Sequence, residues 1–348
     1  MNTKLDNVNT LAVRCPNWVG DVVMATPVFD CLRANLPQVR LIGVMKKSAR
    51  GIVRDGPWFD EVVGINDKTW AGIRQMRQDL GLLRPDAAVL LTNSIRSALT
   101  MRFCGVPQVY GYRRQGRGLL LTGGPAASRN GTTVPIPMLD YYLEICRWLD
   151  LELQERPKPA LYVGEELQRR GDALLARHNI AADDFLIGMN PGASFGSSKC
   201  WPPEYFAELA EMCQKAFEGK IILFSGPGED GIIQAILDRA DVDLIDTRAD
   251  RVDLEMLKPL VKRCNLFITN DTGPRHYAVA FDVPTVVIIG STDPRYTAAN
   301  LDHTAVVRKE LGCSPCHLKV CPRGHECMRE IRPTEVIAAA ERLTGAQG

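Results

Sequence analysis

No stretch of the 348 residues approaches the run of about 18 apolar positions that a membrane-crossing helix needs. Met1 to Thr10 is polar and lacks the apolar centre of a secretory signal, so a cytoplasmic protein is expected. Net charge is nearly absent: 42 basic against 41 acidic residues leave +1, where a dedicated nucleic-acid binder would be more basic. No short-period repeat or low-complexity tract is present, and the apolar content excludes disorder, collagen and coiled coil as the main architecture. What is there is ordinary globular material, 45% hydrophobic and 24% charged, enough for about two domains with full cores. The charge is uneven. Residues 1–155 hold 19 Lys/Arg and 14 Asp/Glu, a net of +5, and the remainder is net −4. Either this reflects solvated faces, or the first half meets something anionic.

The first half alternates strands and helices. Strands are expected at 9–15, 39–44, 61–65 and 86–91, and helices near 21–36, 47–54, 70–83, 94–104 and 138–150. Pro27 predicts a late start or a kink in the first helix. Residues 113–137 are dense in Gly and Pro and predict loops. A second alternation starts afresh, with strands at 185–189, 220–225, 242–246, 265–269, 284–289 and 304–308 and helices between them. This pattern predicts an α/β protein with two Rossmann-like domains, their parallel sheets facing across a cleft. The expected division is 1–155, a connection over 156–180, and 181–348.

Four places could carry chemistry. Gly20-Asp21 follows the first strand; Asp21 could accept a proton from an attacking hydroxyl or simply cap the next helix. The loop Asn190-Pro-Gly-Ala-Ser-Phe-Gly-Ser-Ser-Lys199 could cradle phosphates, with Lys199 neutralising them, or be an ordinary loop. Thr269-Asn-Asp271-Thr272-Gly273-Pro-Arg-His276 opens a helix whose free N–H groups suit an anion; alternatively Asp271 or Thr272 is only its cap. Glu229 follows another strand of the same half, where a carboxylate could hold ribose hydroxyls or complement a helix dipole.

Eleven cysteines are present. Seven lie scattered in apolar or helical stretches and read as reduced small hydrophobes. The other four are Cys313, Cys316, Cys321 and Cys327, with His317 and His325 interleaved. They could bind a structural zinc, form a disulfide or redox pair, or remain a reduced loop.

Pro16-Asn-Trp-Val-Gly-Asp-Val-Val-Met24, Asn190-Pro-Gly-Ala with Lys199-Cys-Trp-Pro202, and Thr269-Asn-Asp-Thr-Gly with His276 occur in the order of the lipopolysaccharide heptosyltransferases. The chain resembles that family, glycosyltransferase family 9, over about residues 10–342, and the wording of the first motif is nearer type II than type I. The resemblance implies the GT-B fold, with the donor in the C-terminal domain. It implies inverting transfer of L-glycero-D-manno-heptose from ADP-L-glycero-β-D-manno-heptose to the first heptose on Kdo2-lipid A, at the cytoplasmic face of the inner membrane. Asp21 then matches the general base and Lys199 the lysine that stabilises the leaving diphosphate. Ser194, Glu229, Asp271, Thr272, Gly273 and His276 fall on the donor side, and Gly20, Asn93, Ser94 and Arg113 on the acceptor side. No cofactor is required for this chemistry. The cysteine segment 313–327 is a departure from the best-known type II enzymes. The motifs leave open a type I or other acceptor, or a nucleotide-sugar-binding protein without catalysis.

Overall fold

A computed structural model describes residues 3–126 and 135–345. It divides into two units, Met1–Tyr162 and Val163–Gly348. The first holds β1 (Thr10–Arg14), α1 (Val19–Met24), α2 (Thr26–Asn35), β2 (Arg40–Lys46), α3 (Arg50–Val53), β3 (Glu61–Ile65), α4 (Trp70–Leu83), β4 (Ala87–Leu90), α5 (Ile95–Phe103), β5 (Gln108–Gly111) and α6 (Met138–Trp148). The second holds α7 (Glu165–Arg177), β6 (Leu186–Asn190), α8 (Pro203–Phe217), β7 (Lys220–Leu223), α9 (Asp230–Leu237), β8 (Leu244–Asp246), α10 (Leu257–Arg263), β9 (Leu266–Asn270), α11 (Gly273–Ala280), β10 (Thr285–Ile289), β11 (Thr304–Arg308), α12 (Glu326–Arg329) and α13 (Pro333–Thr344).

Every strand pair is parallel, in the orders β3-β2-β1-β4-β5 and β11-β10-β9-β6-β7-β8. The central strands are apolar on both faces because helices cover both sides. Ala12, Ile42, Val44, Ala88 and Leu90 share one core with Met76, Ala98 and Met101. Ile187, Met189, Ile268 and Ile288 share another with Trp201, Phe206 and Ala340. Each fully buried Ile, Val, Leu or Met among them contributes about 1.5–3 kcal/mol relative to exposure.

In each sheet the chain winds outward in one direction, then returns and winds outward in the other. The reversals fall between β1 and β4 and between β6 and β9. The loops after those four strands therefore flank crevices at the carboxyl edges of the sheets, where open α/β folds bind ligands.

Three elements differ from expectation. The first helix is two, α1 and α2, with Pro27 in the first turn of α2. There Pro needs no backbone donor. β5 occupies Gln108–Gly111, too short to show a period. The division falls at Tyr162/Val163, and α7 lies inside the stretch expected to be a connection. Its mean composition is polar, but Leu167, Gly171, Leu174 and Leu175 form a buried stripe. Of the expected loops at 113–137, residues 127–134 lie outside the described residues.

Candidate functional site

The second unit builds its site from the loops after β6 and β9. Asn270, the last residue of β9, closes the β6 loop at both ends. Its Nδ2 donates to the Pro191 carbonyl (2.6 Å) and its Oδ1 accepts from the Trp201 amide (3.1 Å). Trp201 is anchored in the core, its indole N–H donating to the Ile331 carbonyl (3.0 Å). Lys199 is thereby held over β9. Its Nζ donates to the Asp271 carbonyl (2.8 Å) and to Asp271 Oδ2 (2.9 Å). An ammonium has three donors, so these two bonds leave one for a ligand.

Asp271 is nearly buried and both its oxygens are engaged. Oδ2 also accepts from Thr292 Oγ1 (2.7 Å), and Oδ1 accepts from Arg275 Nη1 (2.8 Å). Burial alone would raise its pKa. The charges of Lys199 and Arg275 and the bonds from Thr292 and Lys199 outweigh burial and hold the carboxyl well below the usual carboxylate range. Arg275 is 1% exposed and is also tied to Thr297, through Nη1 to Oγ1 (2.7 Å) and Nη2 to the carbonyl (3.1 Å). Two cations and one anion leave a net charge of +1 in a water-poor place, a setting that favours an anionic ligand.

Thr272 is the N-cap of α11, and its side chain makes no capping bond. Gly273 opens the helix and Pro274 brings no N–H. The positive end of this helix lies beside Lys199 and adds to the anion-binding character. Ser194 is exposed on the β6 loop. Glu229 precedes α9 and accepts from the Gly226 amide (2.6 Å). Burial raises its pKa, opposed by that bond. Glu229 sits so close to Gly192 that a Cβ there would lie 1.9 Å from its Oε2. Only glycine allows that approach.

His276 is buried. Burial, then the Arg275 charge, pushes its pKa down to about 3, so it stays neutral near pH 7. An unfolded histidine titrates near 6.5. Between those values only the unfolded chain takes the proton. The stability linked to His276 is full above about pH 6.5 and is lost as pH falls towards 3, by at most about 1.4 kcal/mol per pH unit. Replacing His276 by Gln should flatten the acid side of a urea-midpoint profile. An unchanged slope between pH 4.5 and 6.5 would contradict the assignment.

In the first unit, Asp21 is the third residue of α1 and the N-cap is Trp18, so Asp21 is not the cap. Its carboxylate accepts a hydrogen bond from the Tyr142 hydroxyl, and burial together with the Asp21 charge raises Tyr142 well above the usual phenol range. The adjacent Tyr141 donates to Asn93 Oδ1 (2.9 Å) and stacks on Tyr112 (4.0 Å between centroids). One helix, α6, thus orients a residue after β1 and a residue after β4. The β1 turn, with buried Gly20, is fixed from below by Arg14. Its Nη2 bonds Asn17 Oδ1 (3.0 Å) and Asp67 Oδ2 (2.9 Å). Ser94 is the N-cap of α5, accepting from the Ser97 amide (3.2 Å). Buried Arg117 holds that loop through the Thr92 carbonyl (2.6 Å). Arg113 is exposed after β5.

The family model for glycosyltransferase family 9 (heptosyltransferase) matches residues 73–326. The chain belongs to glycosyltransferase family 9. It is similar to lipopolysaccharide heptosyltransferase 2 of Salmonella typhimurium, 27% identical over 346 residues, with 96% of this chain and 98% of the relative covered. It is also similar in structure to Escherichia coli ADP-heptose lipopolysaccharide heptosyltransferase II. There the TM-score is 0.79 at 24% identity, with 96% and 98% of the two chains covered. A family 9 glycosyl transferase from Veillonella parvula gives a TM-score of 0.84 at 21% identity over 99% of both chains. Those identities speak to the fold, and the two parallel-sheet units match the GT-B fold of such structures.

The cysteine segment of this glycosyltransferase is bound to the same loop as Lys199. The Ser198 amide donates to the Lys319 carbonyl (3.1 Å), the Ser198 hydroxyl bonds the Leu318 carbonyl, and His325 Nε2 is 2.9 Å from the Ser198 carbonyl. Gly196, at φ +154°, lets the Lys319 carbonyl approach where a Cβ would stand 2.2 Å from it. All eleven cysteines are free thiols in this structure. Among the described residues, no three His, Cys, Asp or Glu side chains are arranged to hold a metal ion. In this structure α12 turns Cys327 into the core against Gly290, while Cys313, Cys316 and Cys321 are half-buried. The thiols remain neighbours, since burial and then Cys321, Cys313 and Cys316 push Cys327 up to about 11.

Proposed function

We propose that this family 9 glycosyltransferase moves L-glycero-D-manno-heptose from ADP-heptose to the first heptose of the lipopolysaccharide inner core, with inversion at the anomeric carbon. The observation that carries the reading is the Lys199–Asp271–Arg275 cluster beside the N-terminus of α11. Lys199 and the helix N-terminus, with Thr272 and Gly273, hold the donor diphosphate. Glu229 accepts from ribose hydroxyls and Ser194 lines the same loop. Asp271 works through Lys199, and His276 supports the helix as a neutral group. On the acceptor side Gly20 gives room at the backbone, and Asn93, Ser94 and Arg113 bind the sugar acids and phosphates. Asp21 takes the proton of the attacking hydroxyl as that oxygen bonds the anomeric carbon. The bond to ADP breaks on the opposite face, and its electron pair stays on the β-phosphate oxygen. Lys199 and the helix N–H groups stabilise that charge without a metal. The names of the relatives support this choice of donor and of the type II acceptor. Such an acceptor is lipid-linked, which supports a peripheral position on the cytoplasmic face of the inner membrane as part of this proposal. No helix of the described residues is long and apolar enough to cross it.

The test is transfer from ADP-L-glycero-β-D-manno-heptose to Kdo2-lipid A and to its mono-heptosylated form, read by mass spectrometry. Addition only to the mono-heptosylated acceptor is expected. Addition only to Kdo2-lipid A would overturn the subtype, and no transfer to either would overturn the function. Gly192→Ala should weaken ADP about tenfold, because the new Cβ evicts the Glu229 carboxylate from its ribose-facing position. Unchanged affinity by calorimetry would remove Glu229 from the site.

A further inference from the structure

The first unit exposes apolar side chains that its core does not use. On α5, Ile95, Leu99 and Phe103 repeat every four residues and so share one face. They are 43%, 50% and 38% exposed. On α4, Trp70 is 63% exposed, and its ring lies 5.5 Å from that of Phe103. The Arg77 guanidinium sits 4.8 Å over the Phe103 ring. Scattered exposed leucines mean little, but a joined group of aromatic and aliphatic tips marks a contact surface.

The charges around the group have one sign. Arg74 and Arg77 lie on the same face of α4 as Trp70, and both are exposed. Arg96 is exposed beside Ile95. α5 contains no Asp or Glu. The one acid of α4, Asp79, lies about half a turn from Trp70 and is bonded by Gln75 (2.9 Å). Apolar tips within an arginine collar are what an anionic lipid surface binds, through shallow burial of the tips and attraction of the collar to headgroups. A second copy of this chain would bring the same arginines against themselves.

We propose that the α4–α5 face, with Trp70, Leu99 and Phe103 as inserting tips and Arg74, Arg77 and Arg96 as the collar, docks the enzyme on an anionic lipid bilayer. α5 starts directly after Asn93-Ser94 and is only about 13 Å long. Docking by its exposed face keeps the acceptor-side loop near the headgroup layer. The placement of that loop rests on the lipid-linked acceptor proposed above; the docking itself does not.

The test is sedimentation of the full chain with vesicles of phosphatidylethanolamine and phosphatidylglycerol, against phosphatidylcholine alone. Wild type should bind the anionic vesicles, and less well as salt is raised. Leu99→Ser/Phe103→Ser and, separately, Arg74→Glu/Arg77→Glu should each weaken binding at least tenfold. The charge-reversal variant keeps the test valid if the first is unstable. Tryptophan quenching by brominated lipid should fall in Trp70→Tyr. Both double variants should still transfer heptose to a deacylated, soluble acceptor. Absence of wild-type binding, or wild-type affinity in both variants, would overturn the docking face. So would a dimer in solution that the variants dissociate, which would assign the face to a second copy. Vesicle binding without transfer to any acceptor would overturn the proposed function and leave the docking face standing.

Discussion

Asp21→Asn should lower the rate of transfer about 10²- to 10⁴-fold and leave ADP affinity unchanged. The amide keeps the shape of the carboxylate and its place in α1, but cannot accept the acceptor's proton. Asp21 follows β1 in the first unit, whereas Lys199 and Asp271 belong to the loops after β6 and β9 in the second. The chemistry and the diphosphate contacts can therefore be damaged separately. Tyr142→Phe should give a smaller loss, because it frees the orientation of Asp21 and spares its charge. Single-turnover rates and calorimetric ADP titrations would read the two effects apart. A wild-type rate in Asp21→Asn would remove Asp21 as the base.

Asp271→Ala should lower the stability of the second unit by about 3–5 kcal/mol. Arg275 is 1% exposed and points its Nη1 at Asp271 Oδ1, so the variant leaves a buried guanidinium without its counter-charge. Lys199 loses the same partner but is less buried and can turn towards water. Adding Arg275→Met should restore much of the loss, since the stranded charge is then gone. Urea unfolding of the single and double variants would check this. Equal stability of wild type and Asp271→Ala would mean that the cluster is already hydrated and that Asp271 does not hold it together.

Much of the strand and loop frame of the second unit was legible in the chain. Residues 185–189 and 265–269 read as strands, with a Gly/Ser-rich loop after the first and a helix start at Thr272-Gly273 after the second. The ion pair of Asp271 with Arg275 went unread, although their spacing of four residues across a helix start is its sequence signal. Partners distant in sequence could not be read. Tyr142 lies 121 residues after Asp21, and Asn270 about 79 after Pro191; only the folded sheets bring them together. β5 escaped notice because four residues, Gln108 to Gly111, show no period. α7 escaped because its many charged residues hide a stripe of four buried ones. The cysteine spacing left a metal, a disulfide and a reduced loop open, and it carried no sign that Cys327 is buried in the core, which follows from α12 packing under β10.

The central claim is that the β6 and β9 loops form a nucleoside-diphosphate site organised by Lys199. Calorimetric titration of ADP into wild type and Lys199→Met tests it most directly. One ADP per chain is expected in wild type, with affinity about ten- to a hundredfold weaker in the variant, the size of one charge-assisted hydrogen bond. No binding by wild type, or equal binding by both, would contradict the account.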